Sequence, residues 1–119
     1  MPQPCELVLL RFPFSDVKEA KLRPVLVLTR PNPQGDFIGA QITSQLHHIP
    51  QLRLSDSDFA LGRLPKPSVL RPDKLFTLNK DLVVRRVGRL NHPGFVRALA
   101  AICECLGCPN DEISNEGPQ

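Results

Sequence analysis

Short apolar runs, broken every few residues by proline, glycine or charge, set the pattern of this chain. Residues 5–12 (CELVLLRF) are rich in Val and Leu and stop at Pro13, which predicts a strand. Residues 15–20 (SDVKEA) are polar and read as a loop. Residues 22–29 (LRPVLVLT) are nearly all apolar, as in a buried central strand, and Pro24 lies near the start, where a missing ladder donor is tolerated. The turn formers of 30–36 (RPNPQGD) lead to a third strand at 37–43 (FIGAQIT). Leu52 and Leu54 alternate with Gln51 and Arg53, which predicts a half-exposed fourth strand. Residues 55–66 (SDSDFALGRLPK) read as a loop with Gly62 and Pro65 near its end. Residues 68–71, 74–78 and 83–90 read as three more short strands, the last containing Gly88.

The period then changes. Val96, Leu99, Ala100, Cys103 and Leu106 follow helical spacing and form one apolar stripe. Asn91 is placed to cap this helix, Pro93 falls in its first turn, and Gly107 ends it. The expected fold is mainly β: six or seven short strands followed by one C-terminal helix. One domain covers residues 1–108, and the polar residues 109–119 form a frayed tail.

Composition adds a few bounds. The 119 residues allow one domain, and 13 Pro with 7 Gly suit a compact β fold better than a helical bundle. No apolar run nears the roughly 20 residues a bilayer requires. The opening MPQPCELVLLRF has no leading basic stretch, and Arg11 interrupts its apolar run, unlike a secretion signal. The cytoplasm is therefore the expected compartment, with the four cysteines reduced and no membrane partner. A net charge of +3 permits phosphate binding without requiring it. With no Tyr or Trp and six Phe, base stacking on aromatics has few resources.

Three segments hold candidate chemistry: 21–24 (KLRP), 42–44 (ITS) and 67–74 (PSVLRPDK). Arg71 and Asp73 are two apart, so an extended chain presents both on one face. A guanidinium neutralises charge developing on phosphate oxygens, and a carboxylate accepts a proton from an attacking hydroxyl. The same spacing also describes a solvated surface ion pair. Arg23 reads equally as a charge kept in water at a strand entrance. Thr43 and Ser44, at a strand end, suit hydrogen bonds to phosphate, or simple strand and turn propensity. His47-His48 has no carboxylate or cysteine at ligand spacing and reads as a polar loop. CECLGC, residues 103–108, looks like a zinc fragment. Cys103 and Cys105 are two apart on a helix and point in different directions, however, and Cys103 falls on the apolar stripe as a core residue. No metal site or cofactor is expected. GxxxxGK[ST] and GxGxxG loops are both absent.

Together these segments resemble the PemK/MazF family of toxin–antitoxin ribonucleases, over residues from Glu6 to Leu106. LVLLRFPFSD, KLRPVLVL, the Ile42–Ser44 segment and DFALGRLPKPSVLRPDKLFTLN carry the resemblance, and VGRL with the final helix fits its end. It implies an SH3-like barrel with a C-terminal helix that works as a homodimer. The implied activity is metal-independent, sequence-specific cleavage of single-stranded RNA. The RNA's own 2′-hydroxyl attacks the adjacent phosphate, leaving 2′,3′-cyclic phosphate and 5′-hydroxyl ends. A cognate antitoxin protein silences the enzyme, and DNA contact comes only through the antitoxin complex. Carried over by motif, Arg23 and Thr43 bind the scissile phosphate, Asp73 is the general base and Arg71 stabilises developing charge. Ser44, Ser68 and Lys74 complete the set as substrate-binding candidates. This chain departs from the pattern at Cys5-Glu6, where Gly-Asp usually precedes the first strand, and at Phe76, often arginine in the MazF branch. Its first loop also lacks the histidine some members carry. A catalytically weakened barrel that binds RNA or antitoxin is the alternative reading.

Overall fold

A computed structural model describes residues 1–11, 21–47 and 49–108. Seven strands run β1 (Glu6–Arg11), β2 (Leu22–Val27), β3 (Asp36–Thr43), β4 (Leu52–Leu54), β5 (Phe59–Gly62), β6 (Ser68–Asn79) and β7 (Val83–Leu90). One helix, α1 (His92–Leu106), follows. The strands form one antiparallel sheet in the order β4-β6-β3-β2-β1-β7-β5, curled into a half-barrel. The loop expected at 15–20 and the tail at 109–119 lie outside the described residues.

Two apolar clusters explain the long unbroken runs in β1 and β2. Leu7, Leu26, Ala40, Ile42, Leu54, Leu70 and Leu90 pack with Ala98 and Ile102 of α1 on one face of the sheet. Val8, Leu10, Val25, Val27, Phe37 and Leu78 pack together on the other. Alternate residues of the central strands thus enter different cores, so both faces must be apolar.

The structure revises three expectations. The segment 55–66 is not a plain loop: Asp56–Asp58 form a 3-10 turn and Phe59–Gly62 form edge strand β5 against β7. Residues 68–71 and 74–78 belong to one strand, β6, which Pro72 does not end. The helix also buries a different stripe. Gly94, Ala98 and Ile102 face the core, while Val96, Leu99, Cys103 and Leu106 are exposed. Cys103 is accordingly not a core residue. The segment FVRALAAICECL carries two apolar stripes one residue apart, and a close approach selects between them. A Cβ on Gly94 would stand 2.7 Å from the Asp58 carbonyl oxygen, so only glycine lets this side of the helix reach the 3-10 turn.

The helix ends form as expected. Asn91 accepts a hydrogen bond from the Gly94 N–H at 2.8 Å. At the other end Gly107 takes φ 72°, and the Gly107 and Cys108 N–H groups bond the carbonyls of Glu104 and Cys103. Asp58 ties the helix to the turn. It accepts from the Ser55 N–H at 2.9 Å and from Arg97 Nη1 at 2.6 Å. Burial opposes its ionisation, but these bonds outweigh burial and hold the carboxyl below the usual carboxylate range.

Cys5, just ahead of β1, adopts φ 77°. Its N–H bonds Val27 and its carbonyl accepts from Leu90, so both neighbours of β1 fix this conformation. A side chain in the left-handed region costs about 1–2 kcal/mol, and glycine gives back roughly 0.5–1 through entropy. Cys5→Gly is expected to raise unfolding free energy by about 0.5–1 kcal/mol in denaturant titration. A destabilised variant would show that contacts of the Cys5 thiol outweigh the strain.

Candidate functional site

Strand register brings the candidates onto one face. β2 and β3 pair Val25 with Gln41 and Val27 with Gly39, and this register continued sets Arg23 opposite Thr43. Alternation from Val25, Val27 and Phe37 puts Arg23, Gln41 and Thr43 on the face away from α1. Arg23 is exposed and Thr43 half-buried. The Thr43 hydroxyl accepts from the Gln45 N–H at 3.1 Å, which orients its oxygen and leaves its own proton to donate.

β6 supplies the rest through a break in the ladder. Ile42 pairs with Leu70 and Ala40 with Leu75, so Arg71, Pro72, Asp73 and Lys74 lie opposite Gln41 alone. This bulge explains how proline enters a central strand: the looped-out residues owe the ladder no donor. Arg71 follows Leu70 and so leaves on the Val69 and Thr43 face. Its Nε and Nη2 donate to Asp73 Oδ1 and Oδ2 at 2.9 and 2.7 Å, a bidentate pair. The Arg71 side chain is only 10% exposed and that of Asp73 28%. The Arg71 hydrogen bond holds the Asp73 carboxyl below the usual carboxylate range, and Arg71 is raised in turn.

Ser44 and Lys74 are exposed beside Thr43 and in the bulge respectively. Ser68 is buried, and its hydroxyl donates to the Lys66 carbonyl at 2.9 Å, so its proton is already committed to holding that segment. His47 is exposed, and His48 lies outside the described residues. Two residues absent from the sequence-based set share the surface. Gln41 lies between Arg23 and the bulge, and Arg53 pairs with Val69, extending the Arg23–Thr43 row towards the β4 edge. Its place as the one polar side chain besides Thr43 in FIGAQIT was the available signal for Gln41. Arg53 stood out only as the charged position of a short alternating strand.

A cavity of about 550 Å³ lies elsewhere, along β1 and β7. Glu6 in its wall accepts from the Gln3 N–H and Arg86 Nη1, both at 2.9 Å, so the cavity offers a satisfied ion pair. Among the described residues no helix is long and apolar enough to cross a membrane.

A family model described as PemK-like, MazF-like toxin of type II toxin–antitoxin system matches residues 3–106. Among solved structures, an endoribonuclease from Mycobacterial species superposes with TM-score 0.70 at 18% identity, covering 92% of this chain and 94% of that one. A Mycobacterial endoribonuclease in complex with its cognate antitoxin gives 0.69 at 17%, covering 92% and 96%. The Mycobacterium tuberculosis toxin MazF-mt6 gives 0.69 at 22%, covering 88% and 99%. No curated protein matches the sequence significantly.

Proposed function

The chain belongs to the PemK-like, MazF-like toxins of type II toxin–antitoxin systems, and on that premise we propose that it cuts single-stranded RNA using the 2′-hydroxyl as nucleophile. The observation that carries this reading is the gathering of Arg23, Thr43 and the Arg71–Asp73 pair at one end of one sheet face. The scissile phosphate sits between the two arginines, and the Thr43 hydroxyl donates to one of its oxygens. Attack by the 2′-oxygen adds negative charge to the phosphoryl oxygens, which two guanidiniums and a hydroxyl stabilise. The P–O5′ bond then breaks and the leaving oxygen takes a proton from solvent water, giving a 2′,3′-cyclic phosphate and a 5′-hydroxyl.

Asp73 has two tasks in this scheme. It anchors Arg71, and it receives the 2′-hydroxyl proton on lone pairs that the bidentate contact leaves over. A carboxyl held low is a weak base, so anchoring is the larger contribution. Arginine hardly deprotonates in proteins and serves as charge rather than acid. Ser44 and Lys74 flank the phosphate as further contacts, and Ser68 holds the Lys66 segment that leads into β6. The rest of the proposal follows the family: a cytoplasmic homodimer whose domain spans residues 1–108, silenced by a cognate antitoxin that mediates any DNA contact.

Incubation of the protein with a long RNA in EDTA, followed by end-group analysis, tests the mechanism. Cleavage should persist and leave cyclic phosphate and 5′-hydroxyl ends. Loss of cutting in EDTA with recovery on adding magnesium overturns it. One observation favours the alternative, a weakened barrel that binds RNA or antitoxin: Arg71 is nearly buried and already neutralised by Asp73. RNA binding without cleavage in the same assay would select that reading.

A further inference from the structure

A second cavity, about 460 Å³, opens at the β4 edge between that strand and the segment leading into β6. Arg53, Arg63 and Lys66 line it, three cations against the single carboxylate of Asp56. All three cations are exposed, and none forms an ion pair among the described residues. Phe59 and Leu64 complete an apolar wall: both are half-buried and pack against the helix-side core. The Ser68 hydroxyl bond to the Lys66 carbonyl fixes the segment that carries two of the cations.

Arg53 links this cleft to the candidate site. It pairs with Val69, and Val69 pairs with Thr43. Two strand spacings separate Arg53 from Thr43, about 10 Å. An extended strand with one phosphate at Arg23 and Thr43 therefore reaches the cleft with a neighbouring phosphate. Repeated anionic charge beside a flat apolar group is what such a lining accepts.

We infer that this cleft is a nucleotide subsite for RNA flanking the scissile phosphate, with Arg53, Arg63 and Lys66 on phosphates and the Phe59–Leu64 wall against a base. The inference rests on the ribonuclease reading above. It would give a protein without Tyr or Trp a surface for one base.

The test compares wild type with Arg63→Ser/Lys66→Ser, and separately with Arg53→Ser, each checked for an unchanged melting curve. The binding probe is a 2′-O-methyl RNA oligonucleotide, whose blocked 2′-oxygen cannot attack. Each phosphate contact contributes about 0.7 to the slope of log affinity against log salt for single strands, so the double variant should be shallower by about 1.4. On cleavable RNA the loss should fall on KM rather than kcat, and Arg63→Lys/Lys66→Arg should restore both readouts. An unchanged salt slope and KM in a folded, cutting double variant overturns the subsite alone. Weaker antitoxin binding with unchanged RNA binding overturns it in favour of an acidic-peptide surface. A wild type that neither binds nor cuts RNA overturns the ribonuclease reading as well.

Discussion

Arg23→Ala is expected to cut RNA roughly a hundred- to thousandfold more slowly than wild type, the usual loss when a donor to transition-state charge is removed. Its melting temperature should hold within about 2–4 °C, because an exposed side chain at a strand start contributes under about 0.5 kcal/mol. Arg23→Lys should rescue little: a lysine offers one point charge where a guanidinium offers a planar fork. A melting temperature that collapses instead would make Arg23 a structural residue, and near-normal cutting would remove it from the site. Single-turnover rates on one RNA, with thermal melts of the same samples, separate the two results.

Asp73→Asn should also lose about a hundredfold or more in rate, but through a different route. Asparagine presents one acceptor oxygen where the carboxylate presents two, so the fork of Arg71 loses a partner. Arg71 is nearly buried, and a hydrogen bond to a charged group is worth about 1.5–3 kcal/mol. Unlike Arg23→Ala, this variant should therefore melt measurably lower. The sign of the pH effect follows from the lowered Asp73 carboxyl. Its contributions to rate and stability are present at neutral pH and above the ordinary carboxylate value near about 3.9, and disappear as acid protonates it at lower pH still. Wild-type activity should thus stay level from about pH 7 down towards pH 5, and the Asp73-dependent acid loss of stability should vanish in Asp73→Asn. A rate that instead rises through neutral pH would assign the proton transfer to another group.

Local signals carried the parts of the fold that one segment decides alone. Asn91, Pro93 and Gly107 mark the ends of α1 because each acts through its own backbone conformation or side-chain oxygen. β1, β2 and β3 stand out because both faces of these strands are buried. What the sequence withholds depends on distant partners. The burying stripe of α1 is settled by the approach of Gly94 to Asp58, 36 residues away in sequence, against an equally periodic rival. β5 is four residues long and exists because β7 pairs with it. Arg71 and Asp73 could be joined from their spacing, and their bidentate contact follows. Their position beside Arg23 and Thr43 required the β2–β3–β6 register. The Ser68 hydroxyl bond to the Lys66 carbonyl, two residues back, is local and owes nothing to that register.

The bulge in β6 has a consequence for how such a molecule can change over generations. Leu70 and Leu75 are locked to Ile42 and Ala40, and the four residues between them answer to no ladder partner except Gln41. Their number is thus released from the residue-by-residue pairing that fixes Leu70 and Leu75. Lengthening, shortening or rewriting this tetrapeptide moves the guanidinium and carboxylate relative to Arg23 without turning a single core leucine outward. On the ribonuclease reading, substrate preference is open to change there while the sheet beneath keeps its register.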